Sequence, residues 1–202
     1  KKMYPYFCTL HSLAYKCLRL EAHEIMDELD YMELSDMTGR KFVNKMKKGN
    51  GIDISMPTAQ SQYQDTINLA YAKYPNDEDR LPKIFKEVKL SDYGARSTIL
   101  QMDKDLSNFK KDRHKLEYVD YFNSFLQCKN PPALKYLFID EAQDLSAHQW
   151  MVVDMIQQIS KPIETYVAGD DDQAIFRWAG ADIEHFIAMA KDNNNTVIPL
   201  TQ

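Results

Sequence analysis

Residues 136–144 read Tyr136-Leu137-Phe138-Ile139-Asp140-Glu141-Ala142-Gln143-Asp144. Four consecutive apolar residues predict a short strand buried on both faces, and two adjacent carboxylates follow at its carboxyl end. Downstream, Ser146–Ile159 carries Trp150, Val153, Ile156 and Ile159 at helical spacing. Ile163–Ala168 then predicts a second strand, Ile183–Lys191 a second helix and Val197–Leu200 a third strand. Strands alternating with helices at this spacing predict an α/β fold with a parallel sheet and right-handed crossovers. In such sheets ligands sit beyond the carboxyl ends of the strands, which is where the acidic pair lies.

The chemistry of that pair has two readings. One carboxylate can hold Mg²⁺, directly or through water, while its neighbour polarises a nucleophilic water. Alternatively, both acids simply favour the start of the helix that follows. The second strand ends in Gly169-Asp170-Asp171-Asp172-Gln173-Ala174-Ile175-Phe176-Arg177-Trp178-Ala179-Gly180-Ala181-Asp182. The Gln173 amide can donate to a phosphate oxygen while its carbonyl orients water. Phe176 and Trp178 offer faces on which bases can stack. The plainer reading makes both aromatics core and the three aspartates a solvated turn.

Upstream, Tyr4–Thr9 predicts a short buried strand, and Ser12 to about Leu29 a loosely periodic helix. Between about residues 35 and 127 helical stretches Gln62–Tyr74, Leu81–Val88 and Leu116–Leu126 alternate with turn signals at Gly49-Asn50-Gly51, Pro75-Asn76-Asp77 and Asp92-Tyr93-Gly94. No strand alternation and no internal repeat interrupt them, so this region reads as a helical insertion. Charge is unevenly spread: residues 140–184 hold ten acids against two bases, whereas residues 37–125 hold twelve acids against sixteen bases. The net charge of −5 argues against a protein that merely coats nucleic acid. A basic middle beside an acidic block fits a cation-dependent site next to a polyanion track; solvated surface is the other reading. With 202 residues, 44% of them hydrophobic, the chain is long enough for a real core. No apolar run approaches the roughly 20 residues of a membrane-spanning helix. Cys8, Cys17 and Cys128 lack metal-ligand spacing and are odd in number, which suggests a reducing, cytoplasmic or otherwise intracellular setting. The start at Lys1 and the stop at Gln202, directly after an apolar run, read as the ends of a fragment.

The segments Asp140–Asp144 and Gly169–Trp178, about 30 residues apart, resemble the Walker B motif (motif II) and motif III of superfamily 1 helicases of the UvrD/Rep type. Thr9-Leu10-His11-Ser12-Leu13-Ala14 resembles the Thr-x-His segment that precedes motif II in that family, and Leu116-Glu117-Tyr118-Val119-Asp120-Tyr121 is similar to the acidic-aromatic segment closing its helical insertion. The resemblance implies a RecA-like parallel sheet of the P-loop NTPase type with an inserted, mainly helical subdomain. In this chain it divides into 1–34 (first part of the RecA-like domain), 35–127 (insertion) and 128–202 (second part, with motifs II and III). It implies Asp140 as the Mg²⁺ ligand, Glu141 as the base for the attacking water and Gln173 as the γ-phosphate sensor. Phe176 and Trp178 would stack on single-stranded DNA, and Thr9 and His11 would touch the same strand. For His11 a purely structural role stays open.

Two departures accompany the resemblance. Many family members carry Arg directly after the motif III Trp; here that residue is Ala179, and Arg177 precedes the Trp, which leaves any arginine role open. None of the six glycines begins a Gly-x-x-x-x-Gly-Lys-Ser/Thr sequence, so the 202 residues contain no P-loop. The expectation is therefore a piece of an ATP-dependent DNA helicase that uses ATP and Mg²⁺, translocates on single-stranded DNA with 3′-to-5′ polarity, and engages single-strand/duplex junctions. Its partner would be the rest of the parent chain, without which it is inactive. The rivals are a non-catalytic DNA-binding or interaction module retaining these motifs, and the motor of a helicase-nuclease.

Overall fold

The computed structural model describes residues 6–43, 59–174 and 180–199. Its elements are α1 (Leu10–Leu18), α2 (Glu28–Thr38), α3 (Ala59–Lys73), α4 (Arg80–Glu87), α5 (Tyr93–Arg113), α6 (Tyr118–Cys128), β1 (Tyr136–Ile139), α7 (Ala147–Ser160), β2 (Glu164–Val167) and α8 (Ile183–Lys191). Strands β1 and β2 pair in parallel with Tyr136 opposite Glu164 and Ile139 opposite Val167, and α7 crosses between them. The fold is α/β, as the alternation predicts. No helix among the described residues is long and apolar enough to cross a membrane.

Local chemistry sets most boundaries. Ser146 and Gln149 form a reciprocal cap that starts α7, and Asp182 caps α8 through the His185 amide. The Asp92-Tyr93-Gly94 turn signal is the N-terminus of α5: the Asp92 carboxylate accepts from the Gly94 and Ala95 amides. A turn residue and an N-cap share the same short acceptor, so the longest helix begins where the sequence predicts a turn.

Four expectations need correction. The described part of Tyr4–Thr9 forms no strand: Phe7 is 94% exposed, and the Thr9 hydroxyl instead accepts from the Ser12 amide to cap α1. The helix expected over Ser12–Leu29 breaks, because α1 ends at left-handed Arg19 and a 3₁₀ turn, Ala22–Glu24, intervenes before α2. Val197–Pro199 is irregular and exposed rather than a third strand; Leu200 lies outside the described residues. The β1 strand is not covered on both faces. Phe138 is 72% exposed and stacks on Tyr166 of β2 at 4.9 Å between ring centroids, so one face of the two-stranded sheet is an open aromatic surface. A continuous apolar run does not reveal whether both faces are covered.

Two main cores hold the helices. One joins α2 to α5 around Leu34, Ile67, Ile84, Ile99 and Met102; the other packs α1, α6 and α7 around Ala14, Phe122, Phe125, Val152 and Ile156. They meet at a largely buried ionic knot. Lys110 of α5 lies 3.0 Å from Glu117 and 2.9 Å from Asp120, while the Tyr31 hydroxyl of α2 donates to Glu117 at 2.6 Å. Burial works against the Lys110 ammonium, but Glu117 and Asp120 outweigh it and raise its pKa. Above the knot, His11 of α1 packs on Phe122 at 4.1 Å and Tyr118 at 4.7 Å, and His148 of α7 meets the Phe122 edge at 5.4 Å. Burial, followed by His148, pulls His11 down to about 4; burial, followed by Arg80, pulls His148 down to about 4.

These two features make separate stability predictions. Lys110→Met leaves two carboxylates together without their cation and is expected to lower unfolding free energy by about 3 kcal/mol. Arg113→Ala breaks the half-exposed pair with Glu33 and is expected to cost less than about 1 kcal/mol. Chemical denaturation of both variants checks the contrast, and equal losses would contradict it. For the histidines, the folded pKa lies below the unfolded value, so the unfolded chain binds protons first. Their contribution is intact above about pH 6.5 and is lost as the pH falls toward about 4. Melting temperature is expected to drop between about pH 7 and about pH 5, and to drop less in His148→Gln. Parallel pH profiles would contradict the burial argument.

Candidate nucleotide and nucleic-acid site

The parallel register brings two loops side by side at the carboxyl ends of β1 and β2. The ladder continues past the strands: the Ala168 amide donates to the Ile139 carbonyl at 2.8 Å, and the Ala142 amide to the Ala168 carbonyl at 2.9 Å. Between these bonds the chain turns at Glu141, whose φ of 52° is left-handed, a conformation that costs a non-glycine residue about 1–2 kcal/mol. Asp140 and Glu141 are both exposed, and the Asp140 carboxylate accepts from the Glu141 amide at 3.1 Å.

On the neighbouring loop Asp170 organises the turn. One of its oxygens accepts from the Asp172 amide at 3.0 Å and the other from the Gln173 side-chain amide at 2.5 Å. Gln173 is exposed on the 3₁₀ turn Asp171–Gln173. Gln143, which is 2% exposed, spans the two loops. Its amide nitrogen donates to Glu141 at 2.7 Å, and its carbonyl accepts from the Asp170 amide at 3.1 Å. Three of the sequence-predicted residues, Asp140, Glu141 and Gln173, are thus gathered on one edge. Gln143 stands inside the quoted motif, but no role is legible for it from sequence, because its partner across the loops is an amide of the backbone.

Burial, with a smaller repulsion from Glu141, raises the Asp144 carboxyl. One Asp144 oxygen and His148 Nε2 are buried without a hydrogen-bond partner among the described residues. Both residues line a cleft of about 1050 Å³ whose walls include Thr9, His11, Gln64, Tyr118, Phe122 and Ala181. Thr9 and His11 therefore sit together in this cleft. The motif loops reach the same cleft through Asp144 and Ala181. Phe176, Arg177, Trp178 and Ala179 lie outside the described residues. At the far end of that stretch Gly180 has a φ of 98°, and a Cβ there would stand 3.1 Å from Ala72 of α3.

No group of three or more His, Cys, Asp or Glu side chains among the described residues is placed to hold a metal ion. Mg²⁺ bound through one carboxylate, phosphate oxygens and water needs no such group, and the exposed Asp140 carboxylate fits that mode.

The sequence is similar to that of known proteins. Residues 3–194 match the UvrD/REP helicase N-terminal domain. The chain is similar to the ATP-dependent DNA helicase PcrA of Staphylococcus aureus, with 22% identity over 196 residues, covering 91% of this chain and 25% of that one. It is 35% identical over 89 residues to DNA helicase II of Rickettsia typhi, covering 40% and 13%. It is 36% identical over 69 residues to PcrA of Bacillus subtilis, covering 34% and 9%. The chain thus spans about a quarter of the length of the Staphylococcus relative at most. With the match extending across nearly all 202 residues and the two carboxylate loops placed on a parallel sheet, the chain belongs to the UvrD/REP helicase N-terminal domain family.

Proposed function

We propose that this chain forms the ATP-hydrolysing and DNA-gripping part of the first RecA-like domain of a superfamily 1 DNA helicase. In this reading residues 35–127 are the helical insertion, and residues 1–34 and 128–202 are the two parts of the RecA-like domain. The observation that carries it is the paired edge, on which Asp140-Glu141 and Gln173 stand on adjacent parallel strand ends joined through Gln143. Two loops at such an edge are positioned to face one phosphate chain from two sides.

The roles follow from the chemistry. Asp140 would hold Mg²⁺, which would supply charge neutralisation at the phosphate oxygens. Glu141 takes a proton from the water that attacks the γ-phosphorus, while the bond from that phosphorus to the bridging oxygen breaks and ADP leaves. Gln173 donates its amide to a γ-phosphate oxygen and, through the five residues to Trp178, reports that contact to the DNA strand. Thr9, His11, Phe176 and Trp178 hold single-stranded DNA. His11 does so as a neutral ring above about pH 4, offering an aromatic face rather than a cation to phosphate. The main phosphate cradle comes from outside these 202 residues, which contain no P-loop. Translocation proceeds 3′ to 5′, a polarity supported by the family resemblance.

In the complete polypeptide, Glu141→Gln is expected to retain ATP binding and to lower turnover by about 10²–10⁴-fold. Steady-state ATPase beside fluorescent-nucleotide binding measures both, and a normal turnover number would refute the assignment of the base. Trp178→Ala is expected to lose about 1–3 kcal/mol of single-strand affinity while DNA-independent hydrolysis persists. Loss of basal and DNA-stimulated activity together, with a large fall in melting temperature, would instead make Trp178 a core residue.

A further inference from the structure

The geometry points to Gln143 as a positioning residue that locks the candidate base to the candidate phosphate sensor, so that the two loops move as one unit. This inference rests on the roles proposed for Glu141 and Gln173. The hydrogen bonds form one unbroken series. Glu141 accepts from the Gln143 amide nitrogen, and the Gln143 carbonyl accepts from the Asp170 amide. The Asp170 carboxylate in turn accepts from the Gln173 amide nitrogen.

Three features separate this bridge from incidental loop packing. First, its direction is fixed. The Asp170 group is a backbone N–H, so the Gln143 oxygen must face it, and the nitrogen then faces the Glu141 carboxylate. A glutamate at this position would set a second carboxylate against Glu141, and a leucine would fill the space without either bond. Second, Gln143 is buried while both residues it connects are exposed. Water therefore competes poorly for the bridge, although it reaches the reacting groups. Third, the surroundings leave room for this amide and little else. A Cβ on Gly169 would lie 2.6 Å from the Gln143 oxygen and 2.9 Å from the Phe186 ring. The glycine before Asp170 is needed for close approach of the bridge, at a backbone whose φ is ordinary.

The functional consequence concerns rate more than affinity. Glu141 is an exposed side chain with three rotatable bonds. A buried donor on one of its oxygens restricts the carboxylate and leaves the other oxygen for the attacking water. Losing that restraint leaves the charges around the nucleotide unchanged but misplaces the base, and a misplacement near 1 Å can reduce rate by about a hundredfold.

The test uses the complete polypeptide, with Gln143→Leu as the near-isosteric variant that removes both hydrogen bonds. The expected result is a kcat lowered about tenfold to a hundredfold. Nucleotide Kd should stay within about twofold and the melting temperature should be close to that of the unaltered protein. In the double variant with Glu141→Gln the expected further loss is absent, because Gln143 acts through Glu141. Should Gln143→Leu not fold, Gln143→Asn keeps the amide but withdraws it by one methylene, and the same pattern is expected. Normal kcat in a folded Gln143 variant, with Glu141→Gln inactive, overturns the bridge and leaves the assigned base standing. A full additional loss in the double variant likewise overturns it. Normal turnover in Glu141→Gln overturns the base and the bridge together.

Discussion

Parallel backbone pairing between β1 and β2 is the constraint on which the candidate site depends. Each strand contributes only four residues, but the pairing fixes which side chains emerge at the shared carboxyl edge. With Ile139 opposite Val167 and the pairing carried on through Ala168, the acidic loops that follow both strands leave the same edge. A slip of one residue would turn each side chain to the other face. It would also separate Gln143 from the Asp170 amide and dismantle the link across the loops. The helix α7 makes the register possible, since parallel neighbours need a crossover, and its Ser146–Gln149 cap anchors it directly after the first loop.

Backbone strain is distributed with similar economy. Among the described residues, six non-glycine residues have positive φ: Arg19, Lys89, His114, Lys129, Glu141 and Lys161. Five stand at or just past helix C-termini, where a left-handed residue closes the last turn; four of these are Lys or Arg, whose cation meets the negative end of the helix dipole. Glu141 is the exception in both respects. It is acidic, it follows a strand, and its left-handed turn lets the Ala142 amide reach the Ala168 carbonyl. Its unusual backbone therefore belongs to the candidate site rather than to helix termination.

The succession β1, α7, β2, α8 was legible in the sequence because its signals are local. A four-residue apolar run and a repeat of Trp150, Val153 and Ile156 each act within a turn or two of chain. The same locality misled where one chemical group serves two structures. Asp92 accepts amide hydrogens in a turn and at the head of α5 alike. The aromatic run Tyr6-Phe7 has strand composition, but Phe7 is exposed and packs against no other described residue. At the site, Asp140, Glu141 and Gln173 were readable as chemistry-bearing types in a known order. Their connection was not, since Gln143 joins Glu141 to an amide 27 positions downstream of itself, and only the sheet register brings those atoms together.

The cleft extends this logic from the candidate nucleotide edge toward the residues proposed to hold DNA. One wall comes from α1 and α6, with His11 and Tyr118; another comes from α3, with Gln64 and Asn68. The motif loops enter between them. Asp144 ends the first loop's 3₁₀ turn, while Ser146 bridges Ala181 just beyond the second. The Asp182 amide also donates to the Leu145 carbonyl at 2.8 Å, so the exits of both loops are tied by backbone bonds. Gly180, one residue before Ala181, has a φ of 98°, and a Cβ there would stand 3.1 Å from Ala72 and 3.3 Å from Leu69 of α3, so its lack of a side chain suits both the turn and the close approach. The residue proposed as γ-phosphate sensor, Gln173, and the tied exit at Ala181 thus flank in sequence residues 174–180, which carry Phe176 and Trp178, the aromatic side chains proposed to meet DNA.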